Sequence, residues 1–148
     1  MGPLVADRRL EVMEDFISDA ISSGGEVISG GGRGQSPGSF FEPTLIRDVP
    51  DTAKIMIEEP FGPVAPSASF SSIDEIIERA NSLPFGLASY AFTSNPRTSQ
   101  ILKSEIESGM LAINSMHIHS VETPFGGLKH SGYGLSLIHI SEPTRRSY

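Results

Sequence analysis

No cysteine occurs among the 148 residues, which excludes disulfides and thiol chemistry from this chain and leaves the redox compartment open. Basic residues are scarce as well. Eleven Lys and Arg stand against 18 Asp and Glu, a net charge of −7, so nucleic acid is not an expected partner: phosphate binding needs clustered cations. No apolar run approaches the ~20 residues of a membrane span, and no membrane partner is expected. Met1-Gly2-Pro3-Leu4 leads almost directly into a helical pattern with no secretory signal, which makes the cytoplasm the expected compartment. Pro3 and the lack of Ser or Thr at position 6 speak against myristoylation. What remains is 38% hydrophobic and 20% charged, ordinary for a soluble globular chain of one domain or part of one.

The most informative stretch is Glu58-Glu59-Pro60-Phe61-Gly62-Pro63-Val64. Each proline fixes its own φ and pushes the residue before it toward extended geometry, and Gly62 is free to take angles closed to other residues. The segment is therefore stiff and non-helical, with Glu59 and Phe61 on neighbouring sides of an extended chain. A carboxylate and an aromatic held side by side suit a sugar hydroxyl and a flat ring. The plainer reading is a proline-rich entry to a buried strand.

Along the chain, Asp7 is expected to cap a helix running to about Ser23, with Leu10, Met13, Ile17, Ala20 and Ile21 as its apolar stripe. Gly24-Gly25 ends it, and Glu26 to Ser29 reads as a short strand. Gly30 to Gly38 resembles a phosphate cradle in glycine content only. Such a cradle must open a helix, and here Pro37-Gly38 and Phe40-Phe41 follow, so a hairpin-like loop is expected. Phe40 to Ile46 is the next strand, marked by Pro43 as an edge or bulged one, and Asp48 to Thr52 is a polar turn. Val64 to Phe70 is extended. Ser72-Ile73-Asp74-Glu75 is a capping box opening a helix with Ile73, Ile76, Ile77 and Ala80 on one face, stopping near Asn81. Leu87 to Thr93 is a strand. Asn95-Pro96 starts a helix carrying Ile101, Leu102 and Ile106, which Gly109 closes, and Met110 to Asn114 is an apolar strand.

The order β-α-β-α-β from Val64 to Asn114 predicts an α/β fold with an open, mostly parallel sheet. Sites in such sheets lie beyond the carboxyl ends of strands, which makes Ser115 to Thr123 a candidate site loop. It holds Met116, His117, Ile118, His119, Ser120 and Glu122. His117-x-His119 alone is not a metal site, since zinc needs three or four ligands and no third is obvious. Exposed loop residues without a role are the plain alternative. Gly126 to Gly134 is too rich in glycine for an interior element.

Glu59-Pro60-Phe61-Gly62-Pro63-Val64 resembles a signature of the NAD(P)-dependent aldehyde dehydrogenase superfamily. Pro124-Phe125-Gly126-Gly127-Leu128-Lys129-His130-Ser131-Gly132 resembles that family's second signature, and the resemblance covers roughly Gly2 to Gly134. It implies a fold that is the C-terminal part of the family's catalytic domain. It also implies oxidation of an aldehyde to the acid by a cysteine nucleophile, with hydride passing to NAD or NADP and a glutamate activating the hydrolytic water. That cysteine and that glutamate are expected N-terminal to Met1, so no catalytic residue is assigned and the chain alone is expected to be inactive. By the same resemblance Glu59 binds the nicotinamide ribose and Phe61 packs near the nicotinamide. His117, His119 and Ser120 would face the aldehyde, with Phe125 beside it. Ser120 falls close to a serine of the succinate-semialdehyde dehydrogenases that meets a carboxylate tail, which suggests a semialdehyde substrate. The parent enzyme is expected to be a homo-oligomer. Leu135 to Arg145 instead resembles the translation of a sequencing adapter, so the division expected is 1–134 native and 135–148 non-native. The alternative from another class is a naturally short, non-catalytic module that pairs with a full-length subunit.

Overall fold

The structure, a computed structural model, describes residues 1–119 and 124–132. The expected tail, Ser120 and Glu122 lie outside the described residues. The chain forms two compact units, the first Met1–Ser69 and the second beginning at Phe70. It is mixed α/β with parallel sheet pieces, as expected. Among the described residues no helix is long and apolar enough to cross a membrane.

In the first unit, helix α1 (Arg8–Ser22) lies against a three-stranded sheet of β1 (Glu26–Ser29), β2 (Thr44–Arg47) and β3 (Val64–Pro66), with a single-turn helix α2 (Lys54–Ile57) between β2 and β3. The stripe of α1 buries Leu10, Met13, Phe16, Ile17 and Ala20 with Ile46, Ile55 and Val64. Phe16 replaces the expected Ile21, which is exposed; residue 16 lies three beyond Met13 and so on the same face. Asp7 is no cap. It already has helical angles (φ −59°, ψ −35°), and its carboxylate accepts from the Ser39 hydroxyl instead. The C-terminus follows the glycine signal. Gly24 takes φ +108°, its N–H donates to Ile21 O (3.0 Å), and the Gly25 N–H donates to Ala20 O (2.8 Å), which is the Schellman pattern.

β1 and β2 are antiparallel, so the glycine-rich stretch is a loop between paired strands, as expected. It is anchored from inside: the buried Thr44 hydroxyl accepts from Gly31 N–H (2.9 Å) and donates to Glu42 O (2.8 Å). β2 is shorter than predicted, and it is the central strand rather than an edge, since β3 pairs with it in parallel. Pro43 has no N–H to give and stays outside the ladder, which begins with Thr44 N–H donating to Pro63 O at 2.7 Å. β3 likewise ends at Pro66, short of Phe70.

In the second unit α3 (Ile73–Asn81) opens as predicted, with the Ser72 hydroxyl accepting from Glu75 N–H at 3.1 Å. The Glu75 carboxylate reaches one residue further back than a standard capping box, to the N–H and hydroxyl of Ser71 (2.8 and 2.6 Å). Two residues, Phe85–Gly86, form β4; β5 is Ala88–Ala91, α4 is Pro96–Glu105, β6 is Met110–Ile113, and β7 is Leu128–Lys129. Asn95 caps α4 as expected, accepting from Arg97 and Thr98 N–H. Gly109 does not close that helix. Ile106 is already extended, and Gly109 N–H instead donates to Gly86 O (2.9 Å) ahead of β6. β5 and β6 are parallel and joined by α4, so the crossover β5-α4-β6 is as predicted, whereas β3 and α3 belong to different units.

The glycine-rich signature after Pro124 does contain an element. β7 pairs antiparallel with β4, and Lys129 Nζ donates to Asn81 O (2.8 Å) and Leu83 O (3.1 Å) while pairing with Glu107 (2.6 Å). Asn81 closes the same knot by donating to Glu105 O (2.7 Å) and accepting from Glu107 N–H (2.9 Å). Two residues of ladder are too few to show as a strand pattern. The lysine head makes up for them by satisfying carbonyls at the end of α3.

Candidate functional site

The first place is the Glu58–Val64 turn. It follows α2, whose last bond runs from Glu58 N–H to Lys54 O (2.8 Å), and Glu58 is extended. The chain then departs from simple extension. Phe61, not Gly62, takes the left-handed backbone with φ +40°, and the residue is 75% exposed. Gly62 serves a different need. A Cβ there would lie 2.2 Å from Met13 Sδ, so the turn sits directly on a fully buried side chain of α1. One guanidinium nitrogen of Arg9, Nη2, donates to Pro60 O and to Phe61 O (3.3 Å). Glu59 is exposed, and no other described residue holds its carboxylate. Four lone-pair sites on that carboxylate are open to incoming hydroxyls. An open groove of about 480 Å³ runs beside the turn, lined by Thr44, Leu45, Gly62, Pro63 and Val64 among others.

The second place is the loop after β6, with the Phe125 segment. Asn114 ends the strand with φ +57°. The Ser115 hydroxyl accepts from His117 N–H (3.0 Å), a local turn that projects Met116 and His117 into solvent. The His119 and Phe125 rings meet edge to face, 6.0 Å between centroids at 85°. That is the favoured geometry for an aromatic pair. The structure thus brings His119 and Phe125 together and leaves His117 exposed on the same loop. Among the described residues no group of three or more His, Asp or Glu gathers that could hold a metal.

The carboxylates and cations with displaced pKa values are not the candidate site residues themselves. A hydrogen bond from Arg33 holds Glu14 below the usual carboxylate range, and Glu14 raises Arg33 in return. Lys54 is raised by its hydrogen bond to Asp15, and Glu75 is lowered chiefly by the Ser71 hydroxyl. These are exposed pairs of structural origin. Sequence reasoning singles out Glu59, Phe61, His119 and Phe125, but it misses Arg9. Nothing within α1 marks that residue, because its partners lie 51 and 52 positions away.

Comparison with known proteins points one way. The model of the aldehyde dehydrogenase family matches residues 1–142. The mitochondrial succinate-semialdehyde dehydrogenase of Rattus norvegicus is 41% identical over 133 residues, covering 90% of this chain and 25% of that protein. The 3-sulfolactaldehyde dehydrogenase of Pseudomonas putida is also 41% identical over 133 residues, covering 90% and 27%. A crystal structure described as an E. coli NADP dependent enzyme superposes with a TM-score of 0.87 at 36% identity, covering 91% of this chain and 28% of that one. The chain therefore spans about a quarter of the length of the curated relatives it matches.

Proposed function

Because the chain belongs to the NAD(P)-dependent aldehyde dehydrogenase family, we propose that it carries the ribose-binding carboxylate and the substrate loop of an enzyme that oxidises a semialdehyde to its carboxylic acid. The observation that carries this reading is the Glu59–Phe61 turn. It sets an open carboxylate two residues from a projecting aromatic ring, and the turn is seated on α1. Glu59 would accept from both vicinal hydroxyls of the nicotinamide ribose, and Phe61 would lie against the flat ring. The dinucleotide, when bound, supplies the hydride acceptor. His117, His119, Ser120 and Phe125 would line the aldehyde's path, and Ser120 would meet an acidic tail. Relatives named for succinate semialdehyde and 3-sulfolactaldehyde, both acidic aldehydes, support this substrate class.

The chain has no cysteine to attack an aldehyde carbonyl. We infer that it does not turn over aldehyde alone. The purified 148-residue chain, given succinate semialdehyde and either NAD+ or NADP+, should show no rise in absorbance at the reduced-nicotinamide band; a rise would overturn the inactivity. Saturation-transfer NMR with nicotinamide mononucleotide tests the binding role. Native chain should bind and Glu59→Gln should bind several-fold more weakly. Equal binding by both would remove Glu59 from the site.

A further inference from the structure

We propose that Arg9 is the positioning residue of the Glu59–Phe61 turn, holding it in the one shape that presents carboxylate and ring together; this rests on the nucleotide-binding reading above. In an extended chain, consecutive carbonyls point to opposite sides. Here the carbonyls of Pro60 and Phe61 converge on a single nitrogen of Arg9, and they do so across a Phe61 backbone at φ +40°. Phenylalanine gains nothing locally from left-handed backbone, which its Cβ disfavours. The shape is therefore imposed from outside, and α1 imposes it twice. Arg9 and Met13 are four residues apart and so share one face of the helix. Arg9 holds the carbonyls by charge-assisted hydrogen bonds, and one turn further on Met13 packs under Gly62 so closely that no Cβ fits between them. Pro60 and Pro63 have no N–H, so the turn has few donors of its own to hold itself closed.

Without Arg9 the Phe61 backbone is free to relax to negative φ, which changes the angle between Glu59 and the Phe61 ring. Nucleotide affinity should then fall although the core of the first unit, built on Leu10, Met13, Phe16 and Ile17, is untouched.

The experiment is a titration of the isotopically labelled 148-residue chain with nicotinamide mononucleotide, followed at the amides of residues 59, 61 and 62. In native protein these should shift and saturate. Arg9→Met should weaken binding about five- to tenfold, and the Phe61 Cα and Cβ shifts should move from left-handed toward extended values while the thermal midpoint stays near native. Arg9→Lys should recover part of the affinity, since one ammonium nitrogen can also donate to two carbonyls but sits on a shorter, more flexible stem. Glu59→Gln should weaken binding without moving the Phe61 backbone shifts. Native-like affinity in Arg9→Met overturns the role of Arg9 and leaves the nucleotide reading standing. Absence of saturable shifts in native protein overturns both. If Arg9→Met does not fold, Arg9→Gln, whose neutral amide is too short to reach the two carbonyls, is read by the same criteria.

Discussion

The side chain of Asn114 and the backbone of Thr93 exchange two hydrogen bonds, each 2.8 Å long, Thr93 N–H donating to Oδ1 and Nδ2 donating to Thr93 O. The parallel pairing of β5 and β6 ends at Ala91 and Ile113. The amide of Asn114 thus acts as one more rung of ladder after the backbone has turned away at φ +57°. Asparagine combines the needed donor and acceptor with tolerance of left-handed backbone. The loop bearing His117 and His119 starts from this fixed point.

Asn114→Ala should therefore cost about 1–2 kcal/mol, from two lost hydrogen bonds and a strained backbone. Asn114→Gly loses the bonds but relieves the strain, and should cost less. Urea denaturation gives both values, and faster amide exchange at Thr93 should accompany each. Equal stability of the alanine variant and native protein would remove the rung from the account.

Gly62 and Met13 form a contact that leaves no room for a methyl group. Gly62→Ala should destabilise the first unit by about 1–3 kcal/mol through overpacking. Met13 is fully buried, so Met13→Ala should cost about 2–5 kcal/mol by itself. Combined, the two changes should cost clearly less than their sum, because the truncated side chain vacates the space that the new methyl enters. Additivity within about 0.5 kcal/mol in a double-mutant cycle would show that the contact does not set the turn.

The acid side of the stability profile should carry a contribution from Glu75. Its pKa is lowered first by the Ser71 hydroxyl and next by the Ser71 N–H. A group whose folded value lies below its unfolded value stabilises the fold above the unfolded pKa, and that contribution is lost as pH falls through the folded one. The start of α3 should accordingly fray on acidification. Carbon-detected titration of Glu75 Cδ should place its midpoint below the ordinary glutamate range, and Ser71→Ala should bring it back up. An unshifted midpoint in native protein would refute this.

Features that depend on neighbours along the chain are legible in the amino-acid sequence. Ser72 and Asn95 read as caps because a side-chain oxygen reaches an N–H only two or three residues ahead. Gly24-Gly25 reads as a helix end, and residues 58–64 read as non-helical because prolines act on their own bonds. Features that depend on what else arrives at the same place are not legible there. The proline at 43 suggests an edge or bulged strand; the register of the β1–β2 pair does shift between Val27 and Ser29, but a strand's position in a sheet is set by which partners reach it, and β2 has one on each side. The glycine at 62 suggests unusual angles, yet Phe61 takes them and Gly62 meets Met13.

The sequence by itself determined the pieces: the α/β character, the caps of α3 and α4, the absence of a thiol nucleophile, and the candidate residues at 59, 61, 117, 119 and 125. Tertiary structure alone decided how they are held. Arg9 clamps a turn 51 residues away, Lys129 ties the glycine-rich segment to the end of α3, and His119 meets Phe125 edge to face. The physical reason is range. Propensity, capping and proline geometry act within a few bonds along the chain, whereas hydrogen bonds and packing contacts act within a few ångströms of space, and only folding makes those two kinds of neighbour coincide.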